Sequence, residues 1–233
     1  MHNRVSIPTL LVAGALIGVL SLSLTGCQGA KTSAATPAAD STSTEATPAE
    51  QPAAATNQSG ATLYTPAYKP NGKEVAVIKT NKGTITVNLL GNDAPITVGS
   101  FVELANKSFY NGLKFHRFEP GFVIQGGDPQ TKDLTAEQVK ANSTGSIGTG
   151  GPGYMIAGEF ANNPNKHVDG TLAMARSQSP DSGGSQFYFT LGPQSFLDNN
   201  YTVFGQTTKG LDVIHQLGAG DVIESITIEN ATK

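Results

Sequence analysis

The sequence predicts a mainly β domain, an antiparallel sandwich or barrel with few helices. Three observations carry the prediction. From about residue 64 onward the chain is a succession of short runs rich in β-branched and aromatic residues. Glycine bounds most of those runs, and only two stretches have the apolar spacing of a helix.

The elements follow in order. EVAVIKTNKGTITVNLL places two β-branched runs around Asn81-Lys82-Gly83, a hairpin with glycine at the position that needs a positive φ. DAPITVGSFVELANKSFYNG reads as a helix that starts at Pro95, because Val98, Phe101, Val102 and Ala105 recur at i, i+3, i+4, i+7 and form one apolar face. LKFHRF, GFVIQGG, GTLAMAR, SQFYFTL and TVFGQ are short strands, LDVIHQL is the second helix, and ESITIEN is the final strand.

The first 63 residues have another character. Arg4 precedes an apolar run from Ile7 to Leu24, the pattern of a secretory signal peptide over residues 1–26. Leu24-Thr25-Gly26-Cys27 resembles the lipobox of bacterial lipoproteins, which implies cleavage before Cys27 and a lipid on its thiol. Two or more acyl chains anchor stably where one is marginal, so the expectation is a bacterial cell-membrane protein on the extracytoplasmic face, held by lipid rather than by a span. Residues 27–63 are Ala, Thr, Ser, Pro, Gln and Glu with almost no large apolar side chain. Such a segment buries too little surface to offset its ordering entropy, and the expectation is a disordered linker before a domain at 64–233.

Composition excludes several chemistries. The net charge of -3, with Lys and Arg scattered, excludes a nucleic-acid partner. Cys27 is the only cysteine, which excludes an intrachain disulfide and a Cys-rich zinc site, and the four histidines are too dispersed to read as ligands. No metal or cofactor is expected. Gly148-Thr149-Gly150-Gly151-Pro152-Gly153 matches G-x-G-x-x-G, but no strand run precedes it and no helix pattern follows. Ser185 lies among glycines without forming a G-x-S-x-G elbow. Asp128 and Glu159 have no supporting pattern.

Seven stretches, taken in order, resemble the cyclophilins, the peptidyl-prolyl cis-trans isomerases. They are FHR (115–117), FVIQGGD (122–128), GGPGY (150–154), GEF (158–160), GTLAMA (170–175), GSQFYF (184–189) and VFG (203–205). The resemblance runs from about Glu74 to Asn230. It implies a closed eight-stranded antiparallel β-barrel capped by two helices, working as a monomer on proline-containing polypeptides.

Such a reaction needs no nucleophile. Turning an X-Pro bond means losing amide resonance, a barrier of about 18 to 20 kcal/mol, and no covalent bond breaks. The prolyl nitrogen regains a lone pair in the twisted state, so a fixed cation aimed at it binds that state better than the planar one. By resemblance Arg117 is that cation, and Gln125 bonds the substrate carbonyl and steadies the guanidinium. Phe122, Val123, Tyr188 and Leu197 form the apolar pocket for the proline ring, and Ala175, Ser177 and Gln186 line the groove for the residues before it. Phe196 and Tyr201 stand where many eukaryotic cyclophilins carry tryptophan and histidine. Without the indole donor, tight cyclosporin binding is not expected. Val123 replaces a common methionine, Tyr188 a common phenylalanine, and Arg176 a frequent asparagine.

Between Pro129 and Gly148 lies an extra segment, QTKDLTAEQVKANSTGSI, in which Thr135 and Gln138 resemble a capping box. A short helix is expected there, bordering the groove and restricting which substrates enter. Two other functions stay open on the residues alone: a binding module that uses the groove without turnover, and a hydrolase centred on Ser185.

Overall fold

A computed structural model describes residues 62–230. The signal peptide, Cys27 and nearly all of the linker lie outside the described residues. Eight strands form one antiparallel sheet: β1 (Val75–Thr80), β2 (Gly83–Leu89), β3 (Arg117–Glu119), β4 (Val123–Gly126), β5 (Thr171–Met174), β6 (Phe187–Thr190), β7 (Val203–Lys209) and β8 (Ile223–Glu229). Their spatial order is β3-β4-β6-β5-β7-β2-β1-β8. The helices are α1 (Pro95–Asn106), the short α2 (Ala136–Lys140) and α3 (Leu211–Ile214).

The expectation of a closed barrel is corrected. The sheet curls but its ladder stays open, with β3 and β8 as its two edges. LKFHRF supplies only two strand residues, Arg117 and Phe118, because the segment before them turns to the other edge. Gly112 N donates to Ile223 O at 2.8 Å, Ile223 N to Leu113 O at 2.8 Å, and Phe115 N to Asp221 O at 2.9 Å. Lys114 and Val222 form an isolated bridge in the middle of this seam. Non-strand backbone therefore spans the gap that a closed ladder would fill.

The β1–β2 hairpin turns through Asn81-Lys82, and Gly83 takes a φ of +146° opposite Thr80. In α1 the expected face is buried completely: Val98, Phe101 and Val102 are all at zero exposure. No residue of its own start caps this helix. Glu159 does so from the far side of the chain, its carboxylate accepting from Ile96 N at 2.9 Å, Thr97 N at 2.8 Å and Thr97 Oγ1 at 2.7 Å. That settles Glu159 as a helix cap, favoured by the positive end of the helix dipole.

Phe101 packs onto an aromatic core centred on Phe187, its ring 5.8 Å from that of Phe187 and edge-on to it. Tyr110 and Phe115 also meet Phe187 edge-on, at 5.6 Å and 6.4 Å. Each such ring removed from water contributes about 1.5 to 3 kcal/mol.

The central strands are buried on both faces, and strand alternation divides their side chains between two clusters. Ile124, Leu172, Met174, Phe187 and Phe189 enter the main core. Val123, Ala173 and Tyr188, the alternate residues, join Leu197 and Val203 in a second, smaller cluster on the opposite face. This second cluster is the floor of the candidate site.

The extra segment contains the expected helix. Thr135 Oγ1 accepts from Gln138 N at 3.3 Å while Gln138 Oε1 accepts from Thr135 N at 2.8 Å, and Val139 is buried beneath. Lys114 Nζ pins the segment by donating to Thr131 O at 3.1 Å and Lys132 O at 2.9 Å.

Candidate active site

Arg117 and Gln125 stand directly opposite each other in the β3–β4 register. The guanidinium of Arg117 lies 5.7 Å from the ring centre of Phe122, with Nε 3.7 Å from Glu119 Oε1, and its side chain is 47% exposed. The positive charge is thus held over an aromatic face and open to a ligand. Gln125 Nε2 donates to Gln186 Oε1 at 2.9 Å, and Gln186 Nε2 donates in turn to Gly148 O at 3.0 Å and Gly150 O at 2.7 Å. The contact given to the Gln125 amide is therefore with Gln186 rather than with the guanidinium. One N–H and the carbonyl oxygen of Gln125 are left for a ligand.

Two cavities meet here. The smaller, about 110 Å³, is bounded by Arg117, Phe122, Val123, Tyr188, Leu197 and Tyr201. The larger, about 590 Å³, is lined by the glycine-rich loop at 148–153 and by Ser177, Ser182 and Gln186. Gln125, Ala175 and Arg176 line both, so the two form one groove. Phe196 lines neither; it is 65% exposed and stacks on Phe122 with ring centres 5.6 Å apart, forming a lip. The residues read from sequence as a site thus come together along one groove.

Residues 130–147 line neither cavity but adjoin the groove wall at Thr149, whose Oγ1 accepts from Gln130 Nε2 at 3.3 Å and donates to Ser146 O at 2.7 Å. The lining begins at Gly148, where the extra segment ends. Asp128 makes that junction. Its carboxylate accepts from Gln130 N at 2.8 Å, Gly148 N at 2.5 Å and Gly150 N at 3.3 Å, so two amides of the glycine loop are already engaged and an anion there would face a carboxylate.

A chain of polar groups behind the small cavity was not foreseen. Tyr188 OH lies 3.0 Å from His167 Nε2, and His167 Nδ1 lies 2.9 Å from Asp198 Oδ1. An ionised Asp198 only accepts, so Nδ1 carries the proton and Nε2 accepts from the tyrosine hydroxyl. Burial pushes the His167 pKa down, partly opposed by Asp198, and burial pushes the Tyr188 pKa far up. The ring of Tyr188 is fixed in place with its hydroxyl protonated. His116 is a different case: burial pushes its pKa down, opposed by Asp128 and aided by Arg117, and among the described residues its Nδ1 has no hydrogen-bond partner.

Ser185 is fully buried, and its Oγ donates to Gly127 O at 2.7 Å. With that hydroxyl committed and, among the described residues, no base hydrogen-bonded to it, the hydrolase reading falls.

A family model described as cyclophilin type peptidyl-prolyl cis-trans isomerase/CLD matches residues 75–233. A peptidyl-prolyl cis-trans isomerase of Helicobacter pylori is 44% identical over 158 residues, covering 67% of this chain and 87% of that protein. The peptidyl-prolyl cis-trans isomerase B of Bacillus subtilis is 42% identical over 145 residues, or 62% and 90% of the two chains. Among solved structures, a Cryptosporidium parvum cyclophilin type isomerase, crystallised in the presence of the dipeptide Ala-Pro, superposes with a TM-score of 0.56 at 26% identity. The match covers 67% of this chain and 99% of that one. With a family model spanning nearly the whole described domain and bacterial relatives matched over most of their own length, the chain belongs to the cyclophilin-type peptidyl-prolyl cis-trans isomerases.

Proposed function

We infer that the groove turns X-Pro bonds through Arg117, without a covalent intermediate, in proteins that are exported or held near a bacterial membrane. The observation that carries this reading is an exposed guanidinium at the rim of a small apolar cavity, with the cation above Phe122. A proline ring seated between Phe122, Tyr188 and Leu197 brings its nitrogen toward that charge. The charge gains most when the amide is twisted and the lone pair is free, which lowers the barrier rather than deepening the bound state. Gln125, oriented by Gln186, holds the carbonyl of the residue before proline, while Ala175, Ser177 and Gln186 take the preceding backbone.

The test is a protease-coupled isomerisation assay on an Ala-Pro peptide. Arg117→Ala is expected to lose about 10² to 10³ in rate, the usual cost of one preorganised donor. Equal rates for the two proteins refute the role of Arg117; absence of activity in both turns the groove into a binding module.

In the full proposal residues 1–26 are a signal peptide, Cys27 carries the lipid, residues 27–63 are a tether, and 64–233 act as a monomeric catalytic domain outside the cytoplasm. The support is Leu24-Thr25-Gly26-Cys27 at the end of an apolar run. Cys27→Ser should release the protein from membranes or leave its precursor uncleaved, and a processed but still anchored protein refutes the lipid. Phe196 brings no indole donor to the lip, so weak cyclosporin binding accompanies this reading.

A further inference from the structure

We propose that the groove is occupied in cis by the chain's own Glu50-Gln51-Pro52, so that the tether is a built-in ligand competing with clients. The inference rests on the reading of the small cavity as the proline pocket.

Charge is the first argument. Among the described residues, Arg117 and Arg176 are the only charged ones lining either cavity, on a chain whose net charge is -3. Arg176 stands where the cavities join. Its guanidinium is 4.7 Å from the ring centre of Tyr201 and 5.3 Å from that of Phe160, and Nε donates to Asn200 O at 2.9 Å. Among the described residues no carboxylate pairs with it. A rigidly held, unneutralised arginine in a groove selects an anionic side chain. Between residues 32 and 61 the charged residues are Asp40, Glu45 and Glu50, all acidic. Glu50 lies two residues before Pro52. With Pro52 in the small cavity, Gln51 follows the Gln125 edge and Glu50 falls at the junction where Arg176 waits.

Attachment is the second argument. The chain enters the described domain on the wall of this same groove. Tyr64 N donates to Met155 O at 2.8 Å, and the Tyr64 ring stacks on Tyr154 with centres 4.1 Å apart. Tyr154 and Met155 both line the larger cavity. Nine residues lie between Pro52 and Thr62, and the ten Cα–Cα steps span at most about 33 to 36 Å. A short connection of this kind holds the segment at an effective concentration in the millimolar range. Clients therefore compete against a ligand that never diffuses away.

The experiment follows the Gln51-Pro52 bond by NMR exchange spectroscopy in the full chain, isotope-labelled and held in detergent micelles, with the Ala-Pro peptide assay run on the same sample. Unaided, such a bond exchanges in tens to hundreds of seconds. Expected is exchange at least about tenfold faster, unchanged on dilution, returned to the unaided rate by Arg117→Ala and slowed severalfold by Glu50→Lys. Slow Gln51-Pro52 exchange in a sample that isomerises the Ala-Pro peptide overturns the proposal and leaves the proposed function standing. Exchange that scales with protein concentration overturns occupancy in cis. An unchanged rate in Glu50→Lys overturns the pairing with Arg176. Failure on both the peptide and the tether means that the proposed function itself has failed, and the inference with it.

Discussion

Replacing Tyr188 by phenylalanine isolates one hydrogen bond while leaving the ring that lines the small cavity. The hydroxyl donates to His167 Nε2 at 3.0 Å, and Tyr188 and His167 are only 4% and 2% exposed. Water does not reach the acceptor that is stranded, so the loss is that of an unsatisfied buried group, about 1 to 3 kcal/mol. For a domain of this size each kcal/mol moves the melting temperature by about 2 to 4 °C, so Tyr188→Phe should melt about 2 to 12 °C below wild type at pH 8. Activity on an Ala-Pro peptide should stay within about twofold at 25 °C, since no group facing the groove is lost. Calorimetry and the coupled assay read the two quantities. A melting temperature within 1 °C of wild type would refute the chain from Tyr188 to Asp198; a large loss of activity at unchanged stability would show that the hydroxyl acts in the groove. The pH dependence adds a sign. Burial holds the folded pKa of His167 below its ordinary value near 6.5, so the unfolded chain takes up a proton that the folded one refuses. Its contribution to wild-type stability is complete above about pH 6.5 and declines as pH falls from there toward the folded pKa. Asp198, whose pKa is lowered, keeps its charge through that interval.

Other perturbations reach the scaffold around the groove. Arg117→Lys keeps the charge but loses the planar fork over Phe122, and should retain only a small part of kcat/KM with the melting temperature unchanged. Gly127 has a φ of +88°, and a Cβ there would meet Ser185 O at 2.4 Å. Gly127→Ala should therefore cost about 1 to 3 kcal/mol by urea titration, with activity falling too because Gln186 lies next to the clash. Glu159→Ala removes the acceptor for the first amides of α1 and should lower stability by about 1 to 2 kcal/mol, leaving kcat on the Ala-Pro peptide near wild type.

Much of this fold was legible because period and punctuation agree with it. The hairpin around Asn81-Lys82-Gly83, the apolar face of α1 and the capping box at Thr135 are all encoded within a few residues of themselves. What stayed hidden depends on residues far apart in the chain. Glu159 caps a helix that begins at Pro95, Asp128 holds amides at Gly148 and Gly150, and the seam joins backbone at 112–115 to backbone at 220–223. None of these leaves a periodic trace, since one carboxylate among many looks the same whether or not it meets a helix start. The site residues were found through family motifs; alternation alone placed Val123, Ala173 and Tyr188 on one face without saying that the face carries a groove. His167 and Asp198 belonged to no motif and were missed. The tyrosine at 188, in place of the commoner phenylalanine, was the one signal that a buried hydroxyl would need a partner.

The open ladder has a consequence for how clients leave. An extended polypeptide readily adds to an exposed sheet edge through backbone hydrogen bonds, with little regard for its sequence. An isomerase handles extended polypeptides continually, and a long free edge beside Arg117 would trap them after the turn. Here the edge next to the groove is β3, three exposed residues beginning with Arg117 and ending with Glu119. The opposite edge is engaged at its start by the seam, and α1 packs against β8. The edge beside the groove, at three residues, is too short to hold a strand. A polypeptide lying along the groove therefore meets no strand-length free edge at Arg117 that would retain it.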